Sequence, residues 1–553
     1  MIICKKTATI LLCFTVIFSF FSCGKIETPK KDELNIATGR DATRVANYSP
    51  MGMWEPGALI YETLVNLDAD CNPVSCLAKS WEVSTDGEEY IFYLRKGIKF
   101  HDGNSLNALA VKENAEKLSN GSWVAISYYL KEVKVIDEYT VKFILKKAHP
   151  AFLMLLASST SGIISPSVIK VVASNNIPKM EMMKKNTDDN KKDMMKMMKS
   201  DMTTIRHKQK SLNYVVAKPV GTGPYIWDQN KHLRNRSFSI IRNDNYWQGS
   251  PRFKRINWQV IPDAAARAIA LETANIDLTG ETPNSTLTSE NIKLLKKNEK
   301  FKVTAADNWG TRLLIVNHTR PPFDDVEVRK ALKYAIDVKA IQKLLGDLAL
   351  VCPGPLGPTS PITDPSLKLY EHNPEKAKEL LDKKHIIDTN NDGIREFNDK
   401  ELSISILSGK VPTISVLIKE YLKAIGIDLK IEQKEIGSTF QLLAQMQFDI
   451  ATHNNIPSFR LNLSEQFSSK GGRWSLNLDD PELDKVIKLY KQSISMEEHK
   501  KHAYQIQQMV HAKEIILFAI NEQKVAAYRK ELGNFIFPPE EWVGADQNLW
   551  QIK

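Results

Sequence analysis

The fold is decided by a stretch in the middle of the chain, residues 256–278, which reads INWQVIPDAAARAIALETANIDL. It begins with an apolar run typical of a strand, and Pro262-Asp263 then supplies the start signal of a helix. An alanine-rich helical stretch carries Ala266, Ala270 and Leu271, and residues 276–278 read as a short second strand. Strand, helix and strand in this order predict a crossover unit of an α/β sheet.

The segments on either side of this unit also predict mixed α and β structure. Residues 34–38 read as a strand and 58–65 as a helix, and alternating apolar residues predict hairpins over 77–95 and 133–143. Beyond residue 303, strands and helices alternate, which is typical of an α/β lobe. The predicted strands there are 313–316, 402–407, 428–431 and 515–520, and the predicted helices are 326–336, 374–383, 414–425, 481–492 and 497–512.

The amino terminus has the pattern of an export signal. Lys5 and Lys6 precede an apolar run over residues 10–21, which Ser22-Cys23-Gly24 follows. The run is shorter than the roughly 20 residues that a transmembrane helix needs. The pattern resembles a bacterial lipobox, with Phe20 where leucine is common, and predicts cleavage before Cys23 and acylation of that residue. The alternative is a secreted chain in which Cys23 stays free.

The remainder has the composition of a globular protein. Of 553 residues, 42% are hydrophobic and 25% are charged, and the length predicts two or three domains. Much of the net charge of +10 lies in a lysine-rich segment, 174–210, which also holds eight of the 15 methionines. We interpret this segment as a solvated insertion rather than a nucleic-acid-binding surface. A Cu(I)-gathering role for its thioethers is the alternative.

Three cysteines remain as structural candidates outside the signal and the acylation site. Cys71 and Cys76 bracket the turn-like Asn72-Pro73-Val74-Ser75, and a disulfide between them is one of two alternatives, the other being free thiols. Cys352 is then expected to be an unpaired, buried thiol.

Several motifs together resemble the family 5 solute-binding proteins of peptide and nickel ABC importers, over nearly the whole mature chain. Each motif alone is a common turn, hairpin or aromatic packing pattern, but their combination is specific. The motifs are Leu77-Ala-Lys-Ser-Trp81, residues 90–103 (YIFYLRKGIKFHDG), Gly221-Thr-Gly-Pro-Tyr225, Arg242-Asn-Asp-Asn-Tyr-Trp247, Val260-Ile-Pro-Asp263 and residues 322–331 (PFDDVEVRKA).

The resemblance implies an α/β fold of the periplasmic-binding-protein-like class II type, with two lobes that close around a hinge and an extra insertion domain. It also implies an ABC permease of the inner membrane as partner, a monomeric state and no enzymatic activity. The expected boundaries are signal peptide 1–22, anchor linker 23–32, lobe I 33–72, 213–302 and 526–553, insertion domain II 73–212, and lobe III 303–525.

Local features are more similar to the nickel branch of the family than to the peptide branch. They are residues 261–267 (IPDAAAR), 271–273 (LET) and 448–453 (FDIATH). The resemblance implies that His453 donates an imidazole to Ni(II) or to its chelate, and imidazole suits that ion. A structural or exposed imidazole is the alternative. The arginines that grip a chelator's carboxylates in that branch are missing, because the matching stretches read Asn120-Gly-Ser-Trp123 and Ser158-Ser-Thr-Ser161.

The cargo is therefore predicted to be nickel or a nickel chelate, carried as a ligand rather than as a catalytic cofactor. An oligopeptide or dipeptide is the alternative, for which extended main-chain pairing and a salt-bridged terminus are expected. A surface adhesin or receptor on the same fold is a more remote one. The candidate ligand-binding residues are Tyr48, Met51, Met53, Trp54, Trp309 and Arg460.

Other chemistry is less well supported by the sequence. Residues 388–393 begin like a calcium loop but lack its closing glutamate, so we interpret them as a polar hairpin turn. His499 and His502 lie in a charged helix and are predicted to face solvent. The chain contains no HExxH, GxSxG, Walker or dinucleotide-binding motif, which argues against an enzyme.

Overall fold

The computed structural model describes three bodies, each built on its own β-sheet, which we call lobe I, domain II and lobe III. The described residues are 32–39, 41, 56–68, 72–119, 123–169, 219–280, 287–306, 310–346, 349–408, 412–434, 436–455, 463–469, 476 and 478–533. The signal segment, the candidate anchor Cys23 and the lysine-rich segment 174–210 lie outside them.

Lobe I has a seven-stranded sheet in the order β12-β21-β11-β1-β10-β9-β8. The predicted crossover unit forms its centre, because β10 and β11 both pair parallel with β1 and are joined by helix α5. Asp263 starts that helix by accepting a hydrogen bond from Ala266 N at 2.7 Å. The lobe consists of β1 (Glu33–Thr38), α1 (Gly57–Ile60), β8 (Tyr225–Trp227), β9 (Ser237–Arg242), β10 (Arg255–Val260), α5 (Ala264–Glu272), β11 (Leu278–Thr279), α6 (Ser289–Lys297), β12 (Phe301–Ala306) and β21 (Lys524–Arg529).

Domain II has a four-stranded antiparallel sheet in the order β4-β5-β7-β6, which contains both predicted hairpins. Its apolar face shares one core with lobe I, where Phe92 and Phe143 belong to the same buried cluster as Ile36 and Trp258. A two-stranded ribbon, β2-β3, precedes it. The elements are β2 (Val65–Leu67), β3 (Pro73–Ser75), β4 (Ala78–Val83), β5 (Glu89–Leu94), α2 (Ala108–Lys117), α3 (Val124–Ser127), β6 (Leu130–Asp137), β7 (Thr140–Leu145) and α4 (Phe152–Ala157).

Lobe III has a six-stranded sheet in the order β14-β20-β13-β19-β17-β18, with apolar clusters on both faces. Alternation along β13 explains this, because Leu313 and Ile315 join one cluster while Leu314 and Val316 join the other. The elements are β13 (Thr311–Val316), α7 (Val326–Ala335), α8 (Val338–Leu345), β14 (Ala349–Cys352), α9 (Pro374–Asp382), β15 (Glu396–Phe397), β16 (Lys400–Glu401), β17 (Ser403–Ser408), α10 (Pro412–Lys423), β18 (Asp428–Gln433), α11 (Ile436–Ala444), β19 (Ile450–Asn455), α12 (Ser464–Phe467), α13 (Pro481–Gln492), α14 (Met496–Ala512) and β20 (Ile516–Glu522).

The chain passes between lobes I and III twice, and the two passages are neighbours. The first joins β12, which ends at Ala306, to β13, and the second joins β20 to β21, which begins at Lys524. Asn521, which is buried, donates from Nδ2 to Gly310 O at 2.8 Å and so ties the passages together. Two adjacent connecting segments are the arrangement of a hinge. They lie a few residues from the predicted boundaries at 303 and 525.

Two local predictions are wrong. The helix predicted over 58–65 ends at Ile60, because the carbonyls of Thr63 and Leu64 instead accept hydrogen bonds from Leu77 N and Ala78 N. His499 does not face solvent but is 2% exposed, because its face of α14 is covered by α13 and by domain II. Contacts between residues far apart in the chain decided both outcomes, and the periodicity of a short stretch of sequence does not report such contacts.

The two cysteines that the structure describes, Cys76 and Cys352, do not form a disulfide with each other. Cys352 is buried, as predicted. Cys76 is a buried free thiol, and its prospective partner Cys71 lies outside the described residues. Among the helices that the structure describes, none combines the length and the hydropathy needed to cross a bilayer.

Candidate functional site

The strand directions place the candidate site where the two lobes are joined. In lobe I, β12 ends at the hinge, because its last residue, Ala306, pairs with Lys524 at the start of β21. Strand β11 is also antiparallel to β21, and β1 and β10 are parallel to β11. Strands β1, β10 and β12 therefore all run toward the hinge. Ligands of open α/β sheets bind beyond the carboxyl ends of parallel strands, where neighbouring connections diverge. The segment that follows Thr38 therefore begins at the ligand-binding end of lobe I.

Lobe III presents the matching end of its own sheet. Thr311 begins β13 at the hinge and pairs with Asn455, the last residue of β19. Strand β17 is parallel to β19, so Ser408 ends on the same side. Strands β17 and β19 therefore both end on the hinge side of the lobe III sheet.

The predicted site residues belong to segments that start at these strand ends. His453 lies in β19, where it pairs with Leu313 two residues before the strand ends. The other candidate ligand-binding residues fall outside the described residues, in segments that follow β1, β12 and β19. They are Tyr48, Met51, Met53, Trp54, Trp309 and Arg460. The described ends of β1, β12 and β19, which these residues follow in the chain, lie on the hinge side of their sheets.

A fixed carboxylate lies just beyond the carboxyl end of β1. The side chain of Asp41 is 2% exposed, and its two oxygens accept from His232 Nε2 at 3.2 Å and from Asn235 N at 2.8 Å. A positive φ of 58° at Asn235 turns its backbone amide into this position, and asparagine tolerates that conformation. Sequence reasoning did not identify this anionic group, because its partners come from a loop almost 200 residues away.

The described part of lobe III also has an open cavity of about 660 Å³. Its lining includes residues around the start of β19, Glu432 and Lys434 at the end of β18, and Arg320, which follows β13. Arg320 Nη1 lies 3.1 Å from Asp449 Oδ1, and Asp449 Oδ2 accepts from Ser405 N at 2.8 Å. These charges satisfy one another, so we do not place the cargo in this cavity.

The motifs that carry the family resemblance converge on a buried carboxylate rather than on the cleft. Glu62, which is 6% exposed, accepts hydrogen bonds from Tyr246 Oη at 2.7 Å, Trp247 Nε1 at 2.9 Å and Thr222 Oγ1 at 2.8 Å. Burial raises the pKa of Glu62 to about 7, and the three donors partly offset the effect of burial. The motif residues thus hold lobe I together, and sequence reasoning missed Glu62 because a lone glutamate carries no periodic signal.

Glu62 is expected to make the stability of the protein depend on pH. Its pKa is higher in the folded state than in the unfolded chain, so its stabilising contribution is complete below about pH 4.5 and is lost as the pH rises through about 7. Between pH 5 and pH 8 the free energy of unfolding should fall by about 2 to 3 kcal/mol through this group. Urea denaturation of the wild type and of Glu62→Gln measures the difference. If the free energy of unfolding of Glu62→Gln fell with pH as steeply as that of the exposed control Glu375→Gln, the assignment would be contradicted.

Residues 388–393 form the predicted polar turn. Asp388 accepts from Asn391 N at 2.7 Å and from Gly393 N at 2.9 Å, and Gly393 has a φ of +91°. The oxygens of Asp388, Asp392 and Glu396 lie within 4.8 Å of one another. Backbone amides of the turn occupy these oxygens, which accounts for the acidic cluster as turn chemistry.

Two α/β lobes, two adjacent connections and ligand-binding ends that face across them define a hinged solute-binding protein. The chain belongs to the bacterial extracellular solute-binding proteins, family 5, whose family model matches residues 72–470. It is thus a solute-binding protein of an ABC importer, and its relatives are transport proteins rather than enzymes. The predictions of family and fold class are confirmed.

Three known proteins illustrate the similarity. The nickel-binding periplasmic protein of Escherichia coli is 26% identical over 459 residues, which cover 80% of each chain. The glutathione-binding protein GsiB of Pectobacterium atrosepticum is 31% identical over 332 residues, which cover 58% of this chain and 54% of that protein. The crystal structure of NikA from Brucella suis in complex with Fe(III)-EDTA superposes with a TM-score of 0.75 at 23% identity, covering 93% of this chain and 99% of that one, and establishes the shared fold.

Proposed function

We propose that this protein captures nickel, as the ion or as a small chelate, outside the inner membrane and delivers it to an ABC permease. The observation that carries the proposal is the similarity to the E. coli nickel-binding protein over 80% of both chains. The position of His453 supports it, because β19 brings this residue close to the hinge end of lobe III. Imidazole nitrogen is a ligand that Ni(II) binds well.

The chemistry of residues 158–161 favours a chelate with little carboxylate charge. Ser158 Oγ lies 3.1 Å from Thr160 Oγ1, and Ser161 Oγ donates to Leu155 O at 2.7 Å. These buried hydroxyls are engaged with each other and with a helix end, and they carry no charge to pair with a polycarboxylate. A histidine-type chelate, with its neutral imidazoles, suits such a site better.

The finer assignments belong to the same proposal. Tyr48, Met51, Met53, Trp54, Trp309 and Arg460 would line the cleft, with the aromatic rings as apolar walls. Acyl chains on Cys23 would keep a monomeric binding protein beside its permease, on the extracytoplasmic side of the membrane. No catalytic cofactor is needed for capture and release, because nickel is the cargo.

A peptide is the second candidate cargo. GsiB, at 31% identity, is named for glutathione, a tripeptide. Arg460 would then pair with the carboxylate of the peptide, and the cleft would have to accommodate an extended main chain.

Titration calorimetry and small-angle scattering on the full mature chain distinguish nickel from a peptide as the cargo. With Ni(II) in excess L-histidine as the probe, we expect binding and a decrease in the radius of gyration. His453→Ala should weaken Ni(II) binding at least about tenfold, because one donor is lost. His372→Ala removes an exposed histidine and is the matched control.

Equal affinity in wild type and His453→Ala would exclude the role of His453. If glutathione or dipeptides decreased the radius of gyration and nickel did not, the cargo would be assigned as a peptide. Native mass spectrometry of the protein from its own host then identifies the cargo directly.

A further inference from the structure

Domain II and lobe III meet along a seam that is distinct from the hinge. Ala151 and Met154, at the start of α4, belong to the same buried cluster as Phe467 and Leu483 of lobe III. Domain II is continuous with lobe I through their shared core. Any opening of lobe III away from lobe I must therefore also separate this seam.

Four aromatic rings cross the seam in one row. Tyr129 and His149 of domain II stack with their ring centroids 4.0 Å apart, at an interplanar angle of 11°. Tyr490 and His499 of lobe III stack at 4.0 Å and 21°. The two histidines meet edge to face across the boundary, with their centroids 6.4 Å apart and their planes at 77°. Such aromatic pairs stabilise the contact between domain II and lobe III.

Three of the four rings are shielded from water, and Tyr129 is half-buried. His149 is 7% exposed, and His499 and Tyr490 are 2% exposed each. The Nε2 atom of His149 is buried and has no hydrogen-bond partner among the described residues. A proton added to this ring would place an unpaired charge in an apolar contact, which is strongly unfavourable.

The charged and titratable neighbours do not compensate for such a proton. From domain II, Lys147 repels a positive charge on His149, and Tyr90 Oη is engaged with His149 O at 3.4 Å. From lobe III, His499 adds a second repulsion. Burial is the largest cause that lowers the pKa of His149, to about 3, and repulsion by His499 and then by Lys147 adds to it. No carboxylate is among the causes.

The lobe III groups nearest to this face are likewise engaged elsewhere. His502 Nδ1 lies 3.0 Å from Ser493 Oγ, and Glu498 Oε2 accepts from Ile494 N at 3.1 Å. His499 Nδ1 lies 3.2 Å from Tyr490 O.

We propose that the row Tyr129–His149–His499–Tyr490 is a pH-sensitive latch, which holds lobe III against domain II at neutral pH and releases it in acid. In the open form the rings meet water, and His149 titrates near the ordinary histidine pKa of about 6.5. Closing then expels the proton. The contribution of the latch to closing is complete above about pH 6.5 and is lost as the pH falls below that value, by about tenfold in the closing equilibrium per pH unit. The protein would thereby release its cargo in acid.

Small-angle scattering of the mature chain without added ligand tests the latch independently of the nature of the cargo. Between pH 7.5 and pH 5.5 the radius of gyration of the wild type should increase, as the closing equilibrium falls about tenfold. His149→Phe keeps a ring in the stack and removes the proton, so its radius should stay constant over this range. His372→Phe removes an exposed histidine outside the seam and should behave like the wild type.

An unchanged radius in the wild type, or an equal increase in His149→Phe, overturns the proposal. If His149→Phe does not fold, His499→Phe tests the same row from lobe III and is expected to reduce the pH response. Hydrogen exchange of the amides in Phe152–Ala157 provides a second readout. After correction for the pH dependence of the chemical exchange rate, exchange should be faster at pH 5.5 than at pH 7.5 in the wild type but not in His149→Phe.

Discussion

Glu514→Ala is expected to lower the free energy of unfolding by about 3 to 5 kcal/mol, because it leaves a buried lysine without its counter-charge. Lys333 Nζ lies 2.7 Å from Glu514 Oε2, and the two side chains are only 4% and 5% exposed. Tyr370 Oη donates to the other carboxylate oxygen at 2.5 Å. The pair joins α7 to a position two residues before β20, the strand that returns to the hinge, so its loss should loosen lobe III.

Urea denaturation of Glu514→Ala measures this loss, and an exposed ion pair supplies the control. Lys378 and Glu375 are 3.0 Å apart but 37% and 77% exposed, so Glu375→Ala should cost less than about 1 kcal/mol. In the double variant Lys333→Met, Glu514→Ala, the buried charge is gone and most of the stability should return. A loss below about 1 kcal/mol in Glu514→Ala would mean that water reaches Lys333.

Gly221→Ala is expected to prevent folding of lobe I or to cost at least about 3 kcal/mol. An added Cβ would lie 2.0 Å from Ile60 O and 2.8 Å from Tyr61 Cδ1, and the first of these neighbours is backbone that cannot rotate away. The carbonyl of Gly221 also accepts from His101 N at 2.9 Å, which joins this turn to domain II. The close approach of two backbones explains why a glycine begins the Gly-Thr-Gly-Pro-Tyr motif.

Gly354→Ala is the matched control, because its nearest obstacle is Leu367 Cδ1 at 2.7 Å, the end of a flexible side chain that can move. Thermal unfolding should show a small decrease for Gly354→Ala and a large one, or no cooperative transition, for Gly221→Ala. Similar transitions in the two variants would show that the Ile60 backbone yields easily.

Local patterns were sufficient for most elements of the fold. The crossover unit at 256–278, both hairpins of domain II and the five predicted helices of lobe III occur where they were predicted, because periodicity and capping residues act within a few positions. Elements with weaker local signals were missed, among them α6, α8 and β21. Strand β21 lies within lobe I because Phe301 to Ala306 pair with it, a contact across more than 200 residues.

The candidate site was selected mainly through the combination of family motifs, and its ligand-binding residues stay a prediction. His453 and the segments around Trp54 and Arg460 could be selected because of the resemblance. No motif with a fixed spacing in the sequence links these three positions. Asp41 and Glu62 could not be selected in this way. Each is a single carboxylate whose partners come from distant segments.

The sequence by itself determined the class of protein, its α/β character and the pattern of an exported chain, because these depend on composition, periodicity and motifs. Only the tertiary structure decided which charged and titratable groups are buried. His499 lies in a helix whose sequence is charged, yet Tyr490 and His149 cover it, and the latter is 350 residues away. Burial is set by the sum of such long-range contacts, and a local pattern does not contain them.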